Sequence, residues 1–153
     1  MKVKAQVSVE YIVLIALVLT FGLLLLAISG NLPSFSFSAQ KQSAISYWEG
    51  ASPIAILDTR QVSNSNTLFL VLQNKANLVL NVTNIKLTYG LKEVYQNSSW
   101  FLIFPGEIKN ISINAKSCNL NQEIFYDLEI NYSTQEYNAL IEKGLKPIYI
   151  KCI

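Results

Sequence analysis

Few residues of this 153-residue chain could do chemistry. Histidine is absent and Arg60 is the only arginine, which removes the commonest general base, the commonest metal ligand and the usual bidentate phosphate clamp. Four groups of candidates remain. Asp127, Glu129 and Asn131 alternate and so share one strand face, where they could bind Ca²⁺ or form a carboxylate pair. No supporting groups accompany them, so a solvated strand face is the stronger reading, and no catalytic or metal-binding residue is assigned. Cys118 and Cys152 are too few and too far apart for a zinc site but suit one disulfide in an exported domain. Asn81, Asn97, Asn110 and Asn131 each stand two residues before Ser or Thr, the acceptor pattern for N-linked sugar. Glu10 is the last candidate, a single carboxylate at the mouth of an otherwise uncharged apolar run.

That run, residues 9–28, is nearly all apolar, and at about 1.5 Å per residue a helix of this length spans roughly the 30 Å core of a bilayer. Lys2 and Lys4 precede it and the next charge is Lys41, so the N-terminus is expected in the cytoplasm and the remainder outside. The same two lysines account for the formal charge of +2, and no basic patch suggests nucleic acid. Gly30 and Pro33 are expected to end the helix. A short amphipathic helix follows, with Ser38 as N-cap, Gly50 as its stop, and Lys41, Ala44, Ile45 and Trp48 along one side.

From Pro53 the apolar period becomes strand-like, with runs near 54–60, 67–73, 78–89, 100–104, 108–114, 123–132 and 147–152. Seven short strands imply an α+β chain whose head is an immunoglobulin-like antiparallel β-sandwich. Ile124, Tyr126, Leu128, Ile130 and Tyr132 share one face of their strand. Apolar parity runs through Leu78, Leu80 and Val82, then shifts to Ile85, Leu87 and Tyr89, which predicts a β-bulge near Thr83 and Asn84. "TLFLVLQ" is apolar on both sides and reads as a central strand covered on both. Parity points Cys152 inward; a bridge to Cys118 would close a loop of about 34 residues and stabilise by roughly 3–4 kcal/mol. Asn81, Asn110 and Asn131 have polar-face parity, and Asn97 reads as a loop residue. Trp100, Phe101, Phe104, Phe125, Tyr126 and Tyr132 are expected in the sandwich core, with Phe125 and Tyr149 as alternatives for an outward contact with a neighbouring subunit.

Starting at Gln6, "QVSVEYIVL" places Gln6, Ser8, Glu10 and Leu14 in the pattern Q-x-S-x-E-x-x-x-L. This resembles the class III signal peptide of archaeal type IV pilins, in which a prepilin peptidase cuts on the cytoplasmic side and the apolar helix stays on the mature protein. "FPGEIKNISI" and "YWEGASPIAI" are similar to the head domains of that family in general style. The resemblance implies a processing site at Ala5, Gln6 and Ser8, cut between Ala5 and Gln6, and assembly residues Gln6, Glu10 and Leu14. It divides the chain into a leader 1–5, an assembly helix 6–30, a linker with a short helix 31–52 and a head 53–153. It also implies a structural subunit with no catalysis and no cofactor. Such a subunit enters the cytoplasmic membrane, then joins a homo-oligomeric helical filament on the cell surface, used for attachment to surfaces or cells. Its partners would be the prepilin peptidase, an assembly ATPase and a membrane platform protein.

Physical chemistry supports that arrangement independently. A charge placed within a membrane span costs on the order of 3 kcal/mol and is usually kept for a task. The cut creates a cation, the α-ammonium of Gln6, and Glu10 of a neighbouring subunit could pair with it only where subunits are axially staggered. About fifteen large apolar side chains on the helix, at roughly 1.5–3 kcal/mol each, must also stay out of water. Two alternatives give a monomeric binding domain at the surface. One is a secretory signal cut after Ser29, with Ala27 at −3, releasing a secreted head; the other is an uncleaved membrane anchor.

Overall fold

Two helices precede eight strands. They are α1 (Lys4–Ile28), α2 (Leu32–Gly50), β1 (Ile54–Gln61), β2 (Thr67–Asn74), β3 (Leu80–Tyr89), β4 (Glu93–Ile103), β5 (Ile108–Asn114), β6 (Glu123–Ser133), β7 (Leu140–Lys143) and β8 (Ile148–Lys151). The computed structural model describes residues 4–28, 32–90 and 93–153, apart from the side chains of 4–8, 28, 32–36, 93 and 99. The helix stop expected at Gly30, and the alternative cleavage position beside it, lie outside the described residues. The chain forms two compact units, Met1–Gln40 and Lys41–Ile153, so the last turns of α2 belong with the strands.

Helix α2 begins at Leu32, earlier than expected, and Ser38 lies inside it rather than capping it. Pro33 falls in the first turn instead of closing the preceding helix. There a missing N–H is harmless, because that group has no intrahelical acceptor, and the fixed φ suits the helix. From Lys41 onward the amphipathic side is as expected: Ala44 and Trp48 are buried, and Lys41, Ile45 and Tyr47 are half-buried.

The strands make two antiparallel sheets, a smaller one in the order β1-β2-β5 and a larger one in the order β4-β3-β6-β7. This is the order of an immunoglobulin-like sandwich whose fourth strand has joined the larger sheet. Strands β7 and β8 pair with successive stretches of β6, Glu129–Tyr132 and Glu123–Tyr126, as one edge strand broken in the middle. One core joins Leu68, Leu70 and Leu72 of β2 to Ile85 and Leu87 of β3 and to Ile124, Tyr126, Leu128 and Ile130 of β6. The expected bulge is present: the register of β3 shifts between Val82 and Asn84 against both of its neighbours. One extra residue there lets Leu80 and Val82 on one side, and Ile85 and Leu87 on the other, all face inward.

Several expectations need correction. Strand β4 is much longer than 100–104 because its first half, "EVYQNSS", is polar enough to hide the alternation. Asn97 is therefore a strand residue. Phe101 and Ile103 set the inward parity of β4, which turns Trp100 out to 78% exposure; Phe104, past the strand end, is 56% exposed. Neither belongs to the core. The outer face of β2 is not covered, and Phe69 stands 47% exposed on it. Strand β7, only four residues long, adds an eighth strand that the sequence does not signal, because so short a run shows no period.

The break between β7 and β8 has a physical cause. Trp48 of α2 sits in it, donating from Nε1 to the carbonyl of Lys146 at 2.9 Å, and Leu145 N–H donates to Tyr47 Oη at 3.1 Å. A Cβ on Gly144 would lie 2.1 Å from Trp48 Cζ2, so only glycine leaves room for the indole. Helix α2 is thus anchored to the head by a tryptophan seated in an interrupted edge strand.

Candidate assembly helix and surface sites

The chemistry of α1 follows from what it lacks. From Val9 to Ala27 its mean hydropathy is 2.6 and none of the span is buried. Every large apolar side chain from Val9 to Leu26 is exposed, on all sides of the helix. A helix that is apolar all round needs an apolar environment, not one buried face. The hydroxyl of Thr20 is satisfied within the helix, donating to the carbonyls of Ala16 at 2.8 Å and Leu17 at 2.9 Å, as a hydroxyl in lipid or in a helix bundle must be.

Glu10 is exposed near the start of this span and is its only charge. Gln6 and Leu14 stand one helical turn before and one after it. The side chains of Ala5, Gln6 and Ser8 lie outside the described residues, so only the backbone places the expected processing site, at the first turns of α1.

The face expected to carry Asp127, Glu129 and Asn131 is the outer face of the larger sheet. Register sets Glu129 between Lys86 and Lys143, so its nearest cross-strand neighbours are cations. Among the described residues no cluster of three or more His, Cys, Asp or Glu could hold a metal ion.

Cys118 and Cys152 are both buried and form a disulfide, with their Cα atoms 6.3 Å apart. It ties the segment after β5 to the end of β8, where Cys152 also pairs with Gln61 in a parallel bridge. Gln61 itself is buried, its Nε2 donating to the carbonyls of Ser65 and Lys116 at 2.8 and 2.6 Å. These bonds hold the two loops beside the disulfide.

The four sequon asparagines differ sharply. Asn97 spends its side chain on β5, accepting from Asn114 N–H at 2.7 Å and donating to Asn114 carbonyl at 3.2 Å. Asn131 is half-buried in central strand β6, opposite Asn84 across the bulge, and its Oδ1 is enclosed with no hydrogen-bond partner among the described residues. Asn81 is half-buried in central strand β3 between Leu102 and Ser133. Asn110 is exposed on β5.

Other functional candidates escaped the sequence. Tyr149, considered for an outward contact, is buried under Lys41, whose Nζ lies 4.4 Å above the ring, and it donates to Glu123. Burial raises the Tyr149 hydroxyl above its ordinary range, and its bond to Glu123 adds to the effect. Glu142 of β7 is half-buried, and burial pushes its carboxyl up to about 7, opposed by the backbone N–H of Ile54. No period signal could have found it, because its strand is too short to be read. No protein-family model and no curated protein matches the chain.

Proposed function

We propose that this protein is the structural subunit of a cell-surface filament of the archaeal type IV pilin kind. The reading is carried by one observation, a helical span from Val9 to Ala27 that is exposed and apolar on every side and whose only charge is Glu10, one turn after Gln6. Before assembly α1 lies in the cytoplasmic membrane. After cleavage between Ala5 and Gln6 it passes into a bundle of equivalent helices, with little change in apolar exposure, and a heterologous contact that does not close extends as a helical fibre. The Gln6 ammonium of one subunit meets the Glu10 carboxylate of the next, which sets the axial stagger. The sandwich head is displayed outward, where its disulfide suits an oxidising medium, and serves attachment.

The test is Glu10→Gln in the native cell. Leaving one buried charge unpaired costs about 3–5 kcal/mol, so incorporation into filaments should fall at least about a hundredfold, while mass spectrometry still finds a mature chain beginning at Gln6. Unchanged filaments in that variant, or a native chain beginning at Met1 or Gly30, would sink the reading in favour of an anchored or secreted binding domain.

A further inference from the structure

On the outer face of the smaller sheet, register sets Asp58, Val71 and Asn110 in one row and Arg60, Phe69 and Ser112 in the next. Asp58, Arg60, Phe69, Val71 and Asn110 line a groove of about 320 Å³. The exposed Phe69 ring is part of its lining. Phe69, 47% exposed on a strand facing water, has no role in the core, and what marks it is its place in a groove beside an acceptor asparagine. Asn110 stands diagonally across from it, within reach of a large side chain or anything attached to one. Ser112, the hydroxyl of the Asn110 sequon, is exposed on the same face.

We propose that Asn110 is the sequon that carries sugar in the folded head, and that its first sugar ring lies in this groove against Phe69, with its hydroxyls on Asp58 and Arg60. The proposal rests on the exported position of the head given under Proposed function. A pyranose is amphipathic, with C–H groups on its faces and hydroxyls around its rim. Its face would cover the Phe69 ring while its rim reaches the polar end of the groove. There Arg60 Nε donates to Asp58 Oδ2 at 2.7 Å, and the guanidinium has further donors to offer. The donor is a polyisoprenyl-phosphate-linked oligosaccharide. Asn110 Nδ2 bonds to C1 of the sugar, the C1–O bond to phosphate breaks with its electron pair leaving on the lipid phosphate, and Nδ2 gives up one proton to a base. Two other sequons are less free to take sugar, since Asn97 spends both ends of its amide on the backbone of β5 and Asn131 is packed at the bulge with its Oδ1 enclosed. Asn81 is the more enclosed of the remaining two, flanked on both sides within its sheet.

Peptide mass spectrometry of the protein purified from its native cells tests the assignment. The Asn110 peptide should carry a glycan in most copies, and the Asn97 and Asn131 peptides none; an Asn110 peptide found bare throughout, or sugar on Asn97 or Asn131, overturns it. The docking is tested by Phe69→Ala made with and without Asn110→Gln, both at exposed positions that leave the core intact. Phe69→Ala should lower the melting temperature by about 4 °C in the glycosylated protein and leave it within about 1 °C in the Asn110→Gln background. Equal shifts in both overturn the docking. Filaments built from subunits bare at Asn110 would defeat this inference and leave the assembly reading standing; glycosylated subunits that never enter filaments would do the reverse.

Discussion

Glu10 and Glu142 are carboxylates in opposite settings, one exposed as the only charge of its apolar span, the other half-buried at a strand edge. For Glu142 the consequence is a pH dependence of the head. Burial holds its folded pKa at about 7, above the ordinary value near 4.3 for an unfolded chain, so the fold favours the protonated form. Its contribution is therefore fully present below about pH 4.3 and is lost as pH rises through about 7. Allowing for solvent screening at a half-exposed site, about 1–2 kcal/mol should disappear across that window. Thermal unfolding followed between pH 4 and 8 should show that decline, and Glu142→Gln should flatten it and raise stability at pH 8. A flat profile in the unaltered protein would contradict the assignment.

At the scale of elements, the joint between α2 and the β7–β8 break is held by one indole. Trp48→Ala removes a buried ring and the hydrogen bond to Lys146, and should cost about 3–5 kcal/mol. Gly144→Ala should cost about 3 kcal/mol, because the new methyl overlaps a rigid indole that its hydrogen bond to Lys146 holds in place. The double variant separates packing from backbone effects. With the indole gone, the cost of the methyl should fall to about 1 kcal/mol, left by its 2.9 Å approach to the Lys146 carbonyl. Additive losses in denaturant titrations would mean that the glycine serves its own backbone rather than the tryptophan. The turn between β4 and β5 uses glycine differently. Gly106, at φ 76°, follows Pro105, and Glu107 N–H closes on the Phe104 carbonyl at 2.9 Å, a type II turn that needs a positive φ at that position.

For the whole molecule, the disulfide spans 34 residues and staples the C-terminal strand to the loop after β5. Replacing Cys118 and Cys152 together by Ala should lower the stability of the head by about 3–4 kcal/mol, read from the shift in denaturant midpoint. Residues 41–153 enclose the core and the disulfide. Made alone, this segment should unfold cooperatively and stay monomeric in size-exclusion chromatography, whereas a chain that includes α1 should need detergent. Association of the isolated head without detergent would mean that the strands, rather than the helix, drive self-assembly.

Features that depend on the order of near neighbours are legible in the chain before it folds. A run of twenty residues, nearly all apolar, makes a helix that cannot sit in water, and alternation over eleven residues makes β6 a half-buried strand. A slip of parity makes a bulge at Thr83, since side-chain direction reverses at every step along a strand. Features that depend on residues far apart in the chain are fixed by packing. Trp100 faces outward because Phe101 and Ile103 claim the inner side of β4, and Gly144 is indispensable because Trp48 comes to it from 96 positions away. Four triplets of one acceptor pattern differ in exposure because each has different cross-strand neighbours. A short sequence motif encodes a chemical possibility, and the packing around it sets whether that group is free to react.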